Sequence, residues 1–299
     1  MAKIRIGMIG LDTSHCPTFT GLLNNAASEY HVPGGVVVGA YPGGSDLFSL
    51  SRNRVGTYTE QMQREFGIQI YGSIPALVED VDAILLESVD GHQHLAQFQE
   101  AAAGKPVFID KPLATSREEA AAIVDLAERT GTPIMSSSSL RYAAGVAGLA
   151  GEGAVHSCEA FGPATLLDDY PGLFWYGIHS AEMLFSFMGA GCVSVQCVRR
   201  PDIDVVIGAW DDGRTAVMRG TRFDKGAFGC IVHTDQGARC GLAETRPPYY
   251  YLLLQQIMAF FESGVSPIEI DETLNLVAFL EAADSSCQLE GAAVEIPAP

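Results

Sequence analysis

Short apolar runs alternate with amphipathic stretches from residue 3 to about residue 135, and this alternation constrains the fold more than any other feature. The first run, residues 4–10, ends on glycine, as a buried parallel strand commonly does. Further strands are predicted at residues 36–40, 68–71, 82–88, 106–110 and 133–136. Strict strand-helix alternation predicts a doubly wound parallel sheet, whose ligand crevice lies beyond the carboxyl ends of the strands.

After Arg141 the pattern changes to one helix, near residues 178–188, followed by strands separated by short turns. The strands are predicted at residues 193–199, 203–210, 214–221, 228–234 and 238–243. Two closing helices, about residues 250–263 and 272–289, either cover one face of this sheet or return to the first domain. We therefore predict an α/β protein with a Rossmann-type domain at 1–140 and an α+β domain with a large, mainly antiparallel sheet at 141–299, sharing a cleft.

Composition excludes several classes of protein. Asp and Glu number 36 against 18 Lys and Arg, and the net charge of -18 disfavours binding to nucleic acid or anionic membranes. No stretch has the roughly 18 uninterrupted apolar residues of a membrane span, and the first residues lack a signal-peptide pattern. The seven cysteines form no CxxC pair. A soluble, cytoplasmic protein is expected.

Several segments, in this order along the chain, carry a family resemblance. They are the opening strand into Gly10, ESVDGHQH after the fourth strand, Asp110-Lys111-Pro112 after the fifth, SLRY after the sixth, and YGIHSAE on the first helix of the second domain. Together they resemble the glucose-fructose oxidoreductase and inositol dehydrogenase family, Gfo/Idh/MocA. The resemblance implies an NAD- or NADP-dependent enzyme that moves a hydride between nicotinamide and a secondary hydroxyl of a sugar, cyclitol or related small molecule.

Two residues are predicted to be catalytic. Oxidation of an alcohol needs a base beside the hydride acceptor, and Lys111 matches the lysine of the family's Glu-Lys-Pro motif. His179 matches the histidine of the family's Asp-x-x-x-His helix, with Glu182 positioned to orient its ring, while Trp175 stands where the aspartate is expected. The plain alternatives are a surface lysine at a strand end and a helix histidine bonded to backbone.

The dinucleotide fingerprint departs from G-x-G-x-x-G, because Asp12 and His15 occupy the positions of the second and third glycines. A carboxylate there repels the pyrophosphate unless it turns away to cap the following helix. Relatives carry an acid at the end of the second strand that binds the adenosine ribose. Here no acid stands between that strand and Asp46, and its absence permits NADP. Arg52 or Arg54 could then hold the 2′-phosphate, or both could be solvated loop residues.

The remaining site residues are assigned by their position after the strands and by the resemblance. The residues predicted to bind the cofactor are Gly10, Asp12, Thr13, Ser14, His15, Ser45, Arg52, Ser88, His94, Asp110, Lys111 and Pro112. Those predicted to bind substrate are Arg141, Tyr142, Trp175, Tyr176 and His179, with a structural salt bridge as the alternative for Arg141.

A divalent metal could also be held where the carboxyl ends of the predicted parallel strands meet. Asp12 and His15 follow the first strand, and Glu87, Asp90, His92 and His94 follow the fourth. Because the spacing is irregular and His94 matches a position that supports the cofactor loop, no metal is predicted.

Two other functions remain open. The loss of fingerprint glycines and of the helix aspartate suits a non-catalytic nucleotide or sugar sensor, and some relatives are lyases or hydrolases that use NAD transiently. The resemblance further implies a homodimer or homotetramer formed through the C-terminal sheet, with a polyhydroxylated small molecule as the substrate.

Overall fold

The computed structural model describes residues 3–223 and 226–297. The chain divides into two compact units. The first comprises the residues up to Ala114, Glu118–Ser137 and Tyr250–Ile268. The second comprises Thr115–Arg117, Ser138–Tyr249 and the residues from Glu269 onward.

The first unit is built on a six-stranded sheet in which every pairing is parallel. Its strands are β1 (Ile4–Ile9), β2 (Gly35–Tyr41), β3 (Gln69–Ile70), β4 (Ala83–Leu86), β5 (Val107–Asp110) and β6 (Ile134–Ser137). The spatial order β3-β2-β1-β4-β5-β6 is that of a dinucleotide-binding Rossmann fold, and it confirms the predicted doubly wound sheet. Successive strands are added on one side of β1 up to β3 and on its other side from β4 onward. The switch point of the topology thus lies between β1 and β4, and ligands are expected beyond the carboxyl ends of these two strands.

Helices connect the strands, as the periodicity predicts. They are α1 (His15–Asn24), α2 (Ser49–Phe66), α3 (Ile74–Glu79), α4 (His94–Ala101) and α5 (Arg117–Thr130). Helix α1 buries Phe19 and Leu23 on one face, and α5 buries the Ala and branched residues that recur every three or four positions. Burying an apolar side chain of this size stabilises the fold by about 1.5–3 kcal/mol.

The second unit is a seven-stranded mixed sheet covered on one face by helices. Its elements, in chain order, are β7 (Val155–Pro163), α6 (Gly177–Met188), β8 (Cys192–Arg200), β9 (Ile203–Trp210), β10 (Thr215–Thr221), β11 (Gly229–Thr234) and β12 (Gly237–Leu242), and later α8 (Ile270–Gln288) and β13 (Val294–Glu295). The order is β12-β11-β7-β10-β9-β8-β13, and β7 with β10 is the parallel pair. The predicted, mainly antiparallel second sheet is confirmed. Helices α6 and α8 pack against it.

Strand β7 was not predicted, although it lies near the middle of the second sheet. Its buried residues are Cys158, Ala160 and Gly162, which are too small to give an apolar alternation. Small side chains are needed here, because a Cβ on Gly162 would lie 2.1 Å from the ring of Phe228.

Helix α7 (Tyr249–Ser263) accounts for most of the late segment that joins the first unit. Gly35, at the start of β2, admits it closely, since a Cβ there would lie 2.9 Å from the sulfur of Met258. Among the residues that the structure describes, none of the helices is long and apolar enough to cross a membrane.

Candidate nucleotide-binding and active site

Gly10 directly follows β1, at a place where no other residue fits. Its φ is +87°, and a Cβ would lie 2.3 Å from the hydroxyl oxygen of Ser88. The loops that follow β1 and β4 therefore touch, and only glycine permits this approach. This is the role expected of the first glycine of a dinucleotide fingerprint.

The carboxylate of Asp12 is fully buried and turned into the protein. It accepts hydrogen bonds from the backbone N–H of Val89 at 2.9 Å and from the hydroxyl of Ser51 at 2.5 Å. Burial raises its pKa, and the Ser51 hydrogen bond opposes that shift. Asp12 turns away from the loop without capping α1, because the N-cap of that helix is Ser14.

The loop between β2 and α2 packs against the loop after β1. The N–H of Leu11 donates to the carbonyl of Pro42 at 2.7 Å, and a Cβ on Gly43 would lie 3.3 Å from the Cα of Gly10. The N–H of Ser45 donates to the hydroxyl of Ser51 at 2.8 Å. Ser51 therefore joins this loop to Asp12.

His94 holds the loops after β4 and β5 together. Its Nε2 lies 2.8 Å from the carbonyl oxygen of Ser88, and its Nδ1 lies 2.9 Å from that of Pro112. The imidazole thus links the backbone of the loop after β4 to that of the loop after β5.

Two buried polar atoms beside Gly10 have no hydrogen-bond partner within residues 3–223 and 226–297. They are the hydroxyl oxygen of Ser88 and the side-chain oxygen of Gln97. Gln97 also lies at the Gly43 turn, where a Cβ would be 3.3 Å from its amide nitrogen. Unsatisfied buried groups are costly, so a polar ligand is expected to complete them. The residues present therefore fit a dinucleotide, whose hydroxyl and phosphate groups offer such partners.

A second cluster lies at the ends of β1, β4 and β5. His15 Nδ1 is 3.2 Å from Glu87 Oε2 and 3.2 Å from Asp110 Oδ2. Burial raises the pKa of Glu87 to about 7, against the His15 hydrogen bond that lowers it. For Asp110 the charge of His15 and its hydrogen bond outweigh burial and lower the pKa to about 2. Burial lowers the pKa of His15, but Asp110 outweighs it and holds that pKa well above the usual value.

Aromatic rings enclose the imidazole of His15. Phe19 stacks on it with 5.3 Å between centroids, and Tyr250 of α7 meets it edge-on at 4.7 Å. No local pattern in the sequence indicates Tyr250, and Glu87 and Asp110 belong to different predicted groups, the first among candidate metal ligands and the second among cofactor-binding residues. One sequence signal could have indicated this cluster. The strands β1, β4 and β5 are adjacent in a Rossmann sheet, and a His or an acid stands at or just after the end of each.

Lys111 follows Asp110 and is buried, with 9% of its surface exposed. The backbone N–H of Lys111 donates to the Asp110 carboxylate, and the positive charge of its side chain acts on both Asp110 and Glu87. The plain alternative of a surface lysine at a strand end is therefore wrong. Lys111 lies at the strand edge where a Rossmann fold binds its ligand.

In the second unit, His179 of α6 has its Nδ1 2.6 Å from the hydroxyl oxygen of Ser138. Tyr176 and Phe228 meet the ring edge-on at 5.3 and 5.6 Å between centroids. Trp175 contacts Tyr176 in turn, so the residues predicted to form an apolar wall are adjacent.

Glu182 does not orient His179 as expected. It accepts a hydrogen bond from Arg141 Nε at 2.8 Å, and the same guanidinium is bonded to Glu272. Burial lowers the pKa of Arg141, but the two carboxylates outweigh burial and raise it. The structural salt bridge considered for Arg141 is thus present. Arg141 and Tyr142 are the last two residues of a short 3₁₀ helix, Ser139–Tyr142.

The remaining members of the constellation considered for a metal do not converge with His15. Asp90 bonds to the N–H and Nδ1 of His92, at 3.1 and 2.8 Å. Asp12 and His94 have the partners described above. The cluster that does form includes Asp110, which is predicted from the sequence as a cofactor-binding residue and not as a metal ligand.

Residues 45–138 match the model of an oxidoreductase family with an NAD-binding Rossmann fold. The segment runs from the loop after β2 to the end of β6, and it contains Ser88, His94 and Lys111. Over this segment the chain is similar to the Gfo/Idh/MocA oxidoreductase family. The first unit accordingly resembles the NAD-binding Rossmann domain of such oxidoreductases.

Several solved structures share the fold along nearly the whole chain. Myo-inositol dehydrogenase from Lactobacillus casei, solved with NAD(H) and myo-inositol, has a TM-score of 0.77 at 16% identity, covering 100% of this chain and 98% of that one. GenD2 from gentamicin A biosynthesis, solved with NAD, has 0.79 at 17%, covering 100% and 97%. UDP-N-acetylglucosamine 3-dehydrogenase GnnA from Acidithiobacillus ferrooxidans has 0.74 at 16%, covering 97% and 99%. No functionally curated protein matches the sequence.

Proposed function

We propose that this protein is an NAD- or NADP-dependent oxidoreductase that transfers a hydride between nicotinamide and a secondary hydroxyl of a sugar, cyclitol or related polyhydroxylated molecule. The observation that carries the proposal is the burial of Lys111 at the carboxyl edge of the parallel sheet, the same edge at which the loops around Gly10 leave buried polar atoms unpartnered within residues 3–223 and 226–297. Structural neighbours that act on inositol and on a nucleotide sugar support the substrate class.

The residues that would hold the nucleotide surround Gly10. We assign the pyrophosphate to the loop Gly10–His15, whose Asp12 charge is turned inward and therefore does not face the phosphates. Ser45, Ser88 and Gln97 would bind the sugar hydroxyls, and His94 holds the loops in place. Bound nicotinamide supplies the hydride acceptor, which no side chain can provide.

Lys111 is proposed as the catalytic base. A base must accept the hydroxyl proton as the hydride leaves, and the amine of Lys111 is held on a short, buried strand end. In the second unit we assign substrate binding to His179 and the neighbouring Trp175 and Tyr176, whose rings offer an apolar surface with polar edges.

The choice between NAD and NADP rests on the β2–α2 loop. The guanidinium of Arg52 folds back to the carbonyl of Asp46, near the place where an adenosine ribose would lie. With no acid before Asp46 to bind a ribose 2′-hydroxyl, this arrangement favours acceptance of a 2′-phosphate.

The test is calorimetric titration of the full chain with NADH and NADPH, followed by a screen of polyols and nucleotide sugars for absorbance change at the nicotinamide band. We expect saturable binding of at least one nucleotide, and turnover with one class of secondary alcohol. Absence of binding by both nucleotides would contradict the proposal. Binding without turnover would instead favour the nucleotide-sensing alternative, which Asp12 and Trp175 motivate.

We also propose that the chain assembles into a homodimer or homotetramer through the second sheet, in the cytoplasm. Ile207 and Val198, which are 42% and 46% exposed, lie on the face opposite the buried Val195 and Val206. Ile207 pairs with Gln196, so it and Val198 are diagonal neighbours. Light scattering should give a multiple of the chain mass for the wild type and a smaller mass for Ile207→Lys.

A further inference from the structure

Three donor side chains converge at the ends of adjacent strands in the first unit. His15 begins α1 after β1, Glu87 follows β4, and Asp110 ends β5. Their exposed fractions are 9%, 0% and 3%. Adjacent parallel strands deliver their carboxyl ends to one edge, which explains why residues so distant in sequence meet.

The spacing of the donor atoms suits a single small ion. His15 Nδ1 is 3.2 Å from one oxygen of Glu87 and 3.2 Å from one of Asp110, and the three atoms lie within 4.8 Å of one another. Ligands bonded at about 2.0–2.2 Å to one divalent metal ion lie roughly 3 Å apart at right angles. The observed distances are therefore close to those of neighbouring ligands on one ion.

An independent observation points to a missing partner. The second oxygen of the same carboxylate, Glu87 Oε1, is buried and has no hydrogen-bond partner in the described ranges 3–223 and 226–297. A salt bridge to His15 uses Oε2 and leaves Oε1 unsatisfied, at a typical cost of about 1–3 kcal/mol. A cation would use both oxygens of the carboxylate, including the Oε1 that His15 leaves unbonded.

The imidazole is oriented for this contact by its surroundings. Phe19 and Tyr250 pack on the ring, so that Nδ1 points toward both carboxylates. The nearby thiol of Cys16 contacts the carbonyl oxygen of Gly10 at 3.2 Å and does not join the set. The donors are thus one nitrogen and two carboxylates, without sulfur.

We propose that His15, Glu87 and Asp110 bind one divalent transition-metal ion. One imidazole with carboxylates suits Mn²⁺, Fe²⁺ or Zn²⁺ better than the hard ions Mg²⁺ and Ca²⁺, which prefer oxygen alone. Three protein ligands leave coordination positions for water or for an oxygen of a bound molecule. The proposal goes beyond hydride transfer and does not depend on it.

The test uses the full chain after dialysis against EDTA, without nucleotide. MnCl₂ is titrated and followed by the electron paramagnetic resonance signal of free Mn²⁺, and ZnCl₂ is titrated calorimetrically. We expect one ion per chain and a rise in melting temperature. Glu87→Gln and His15→Gln should each weaken binding by at least about 100-fold. Asp90→Asn, which removes a nearby carboxylate outside the cluster, should keep close to wild-type affinity.

Each outcome decides the question. Failure of the wild type to bind Mn²⁺ or Zn²⁺ saturably at one ion per chain would overturn the proposal, and so would unchanged affinity in a folded Glu87→Gln or His15→Gln variant. Since either variant could lose stability, circular dichroism in EDTA comes first, and Asp110→Asn provides a third ligand variant. Because no nucleotide is present, a negative result here leaves the NADH titration unaffected, and the reverse also holds.

Discussion

The hydroxyl of Ser51, in the first turn of α2, donates to the buried carboxylate of Asp12 at 2.5 Å. Asp12 follows β1 by three positions, so this bond joins the loop after the first strand to the helix after the second. It also explains how an acid can occupy the position of a fingerprint glycine. The charge is satisfied inside the protein, by Ser51 and by the N–H of Val89, and is not presented to the loop surface.

Ser51→Ala is predicted to destabilise the first unit. The substitution removes one partner of a buried carboxylate and the acceptor for the Ser45 N–H, and leaving such groups unsatisfied costs about 1–3 kcal/mol. Urea unfolding measures the change in free energy. Thr57→Ala removes an exposed hydroxyl from the same helix and should stay within about 0.5 kcal/mol of wild type. Equal effects of the two substitutions would show that the Asp12–Ser51 bond contributes nothing measurable.

The fold could be predicted from the sequence wherever burial uses large apolar side chains. The strand over Ile203–Trp210 was predicted with the bounds observed, because its apolar residues and the Asp-Gly turn after it are both strong signals. Strand β7 could not be, since its buried face consists of Cys, Ala and Gly. At Gly162 a small residue is required by packing against Phe228, which no local pattern of residues reports.

Arg141→Met is predicted to destabilise the second unit strongly, more so at high pH. Breaking a buried ion pair by removing one partner costs about 3–5 kcal/mol, and here Glu182 and Glu272 both lose their cation. Burial already raises the pKa of Glu182, against the opposing effect of Arg141, so without Arg141 that pKa rises further. A carboxyl whose pKa is higher in the folded state than in the unfolded chain binds a proton more readily when folded. The loss of unfolding free energy that its buried charge causes is therefore relieved as pH falls through the folded pKa toward the unfolded pKa.

Thermal unfolding at about pH 5 and about pH 8 checks this, with a smaller deficit expected at the lower pH. Arg200→Met, which changes an exposed arginine on β8, is the control. A deficit independent of pH would contradict the assignment of Glu182 as the carboxyl that loses its partner. Loss of substrate affinity without loss of stability would instead favour the substrate-binding role predicted for Arg141.

His92 is predicted to titrate above its ordinary value of 6.5. The hydrogen bond that the imidazole donates to the Asp90 carboxylate raises its pKa, burial opposes this, and the charges of Asp90 and Glu119 add to the rise. For Asp90, burial raises the pKa, but the bonds from His92 and Ser45 outweigh it and lower the pKa below 3.8. The contribution of the pair to stability is therefore full between the unfolded values of 3.8 and 6.5. It is lost as pH falls through the Asp90 pKa or rises through that of His92.

Nuclear magnetic resonance titration of the imidazole measures this directly. Asp90→Asn should bring the His92 pKa back toward 6.5, whereas Asp46→Asn, an exposed carboxylate in the β2–α2 loop, should not. An unchanged titration in Asp90→Asn would mean that this contact is absent in solution.

The candidate site was only partly predictable, because sequence indicates which strand a residue follows but not which side chain it meets. Lys111, His94 and Ser88 were placed correctly at the strand edge, since position after a parallel strand is sufficient for that. The partners of His15 and of Asp12 could not be foreseen, since they depend on rotamers and on residues such as Tyr250 that return from far along the chain. Glu182 shows the same limit. Its spacing of three residues from His179 on one helix predicts a contact between the two, but the carboxylate accepts a hydrogen bond from Arg141 instead.

Lys111→Met is predicted to abolish turnover while leaving nucleotide binding and folding nearly intact. General acid–base groups contribute about 10²–10⁴-fold to rate, so kcat should fall by at least about 100-fold. Methionine preserves most of the volume of a side chain that is 9% exposed, which limits the structural cost of the change. Steady-state kinetics on the alcohol found in the screen, with NADH titration and melting temperature measured in parallel, separate chemistry from binding. Lys3→Met, at an exposed position, should match wild type in all three measurements. Because a base must accept a proton, Lys111→Met with wild-type kcat would remove Lys111 from the reaction even if NADH still binds.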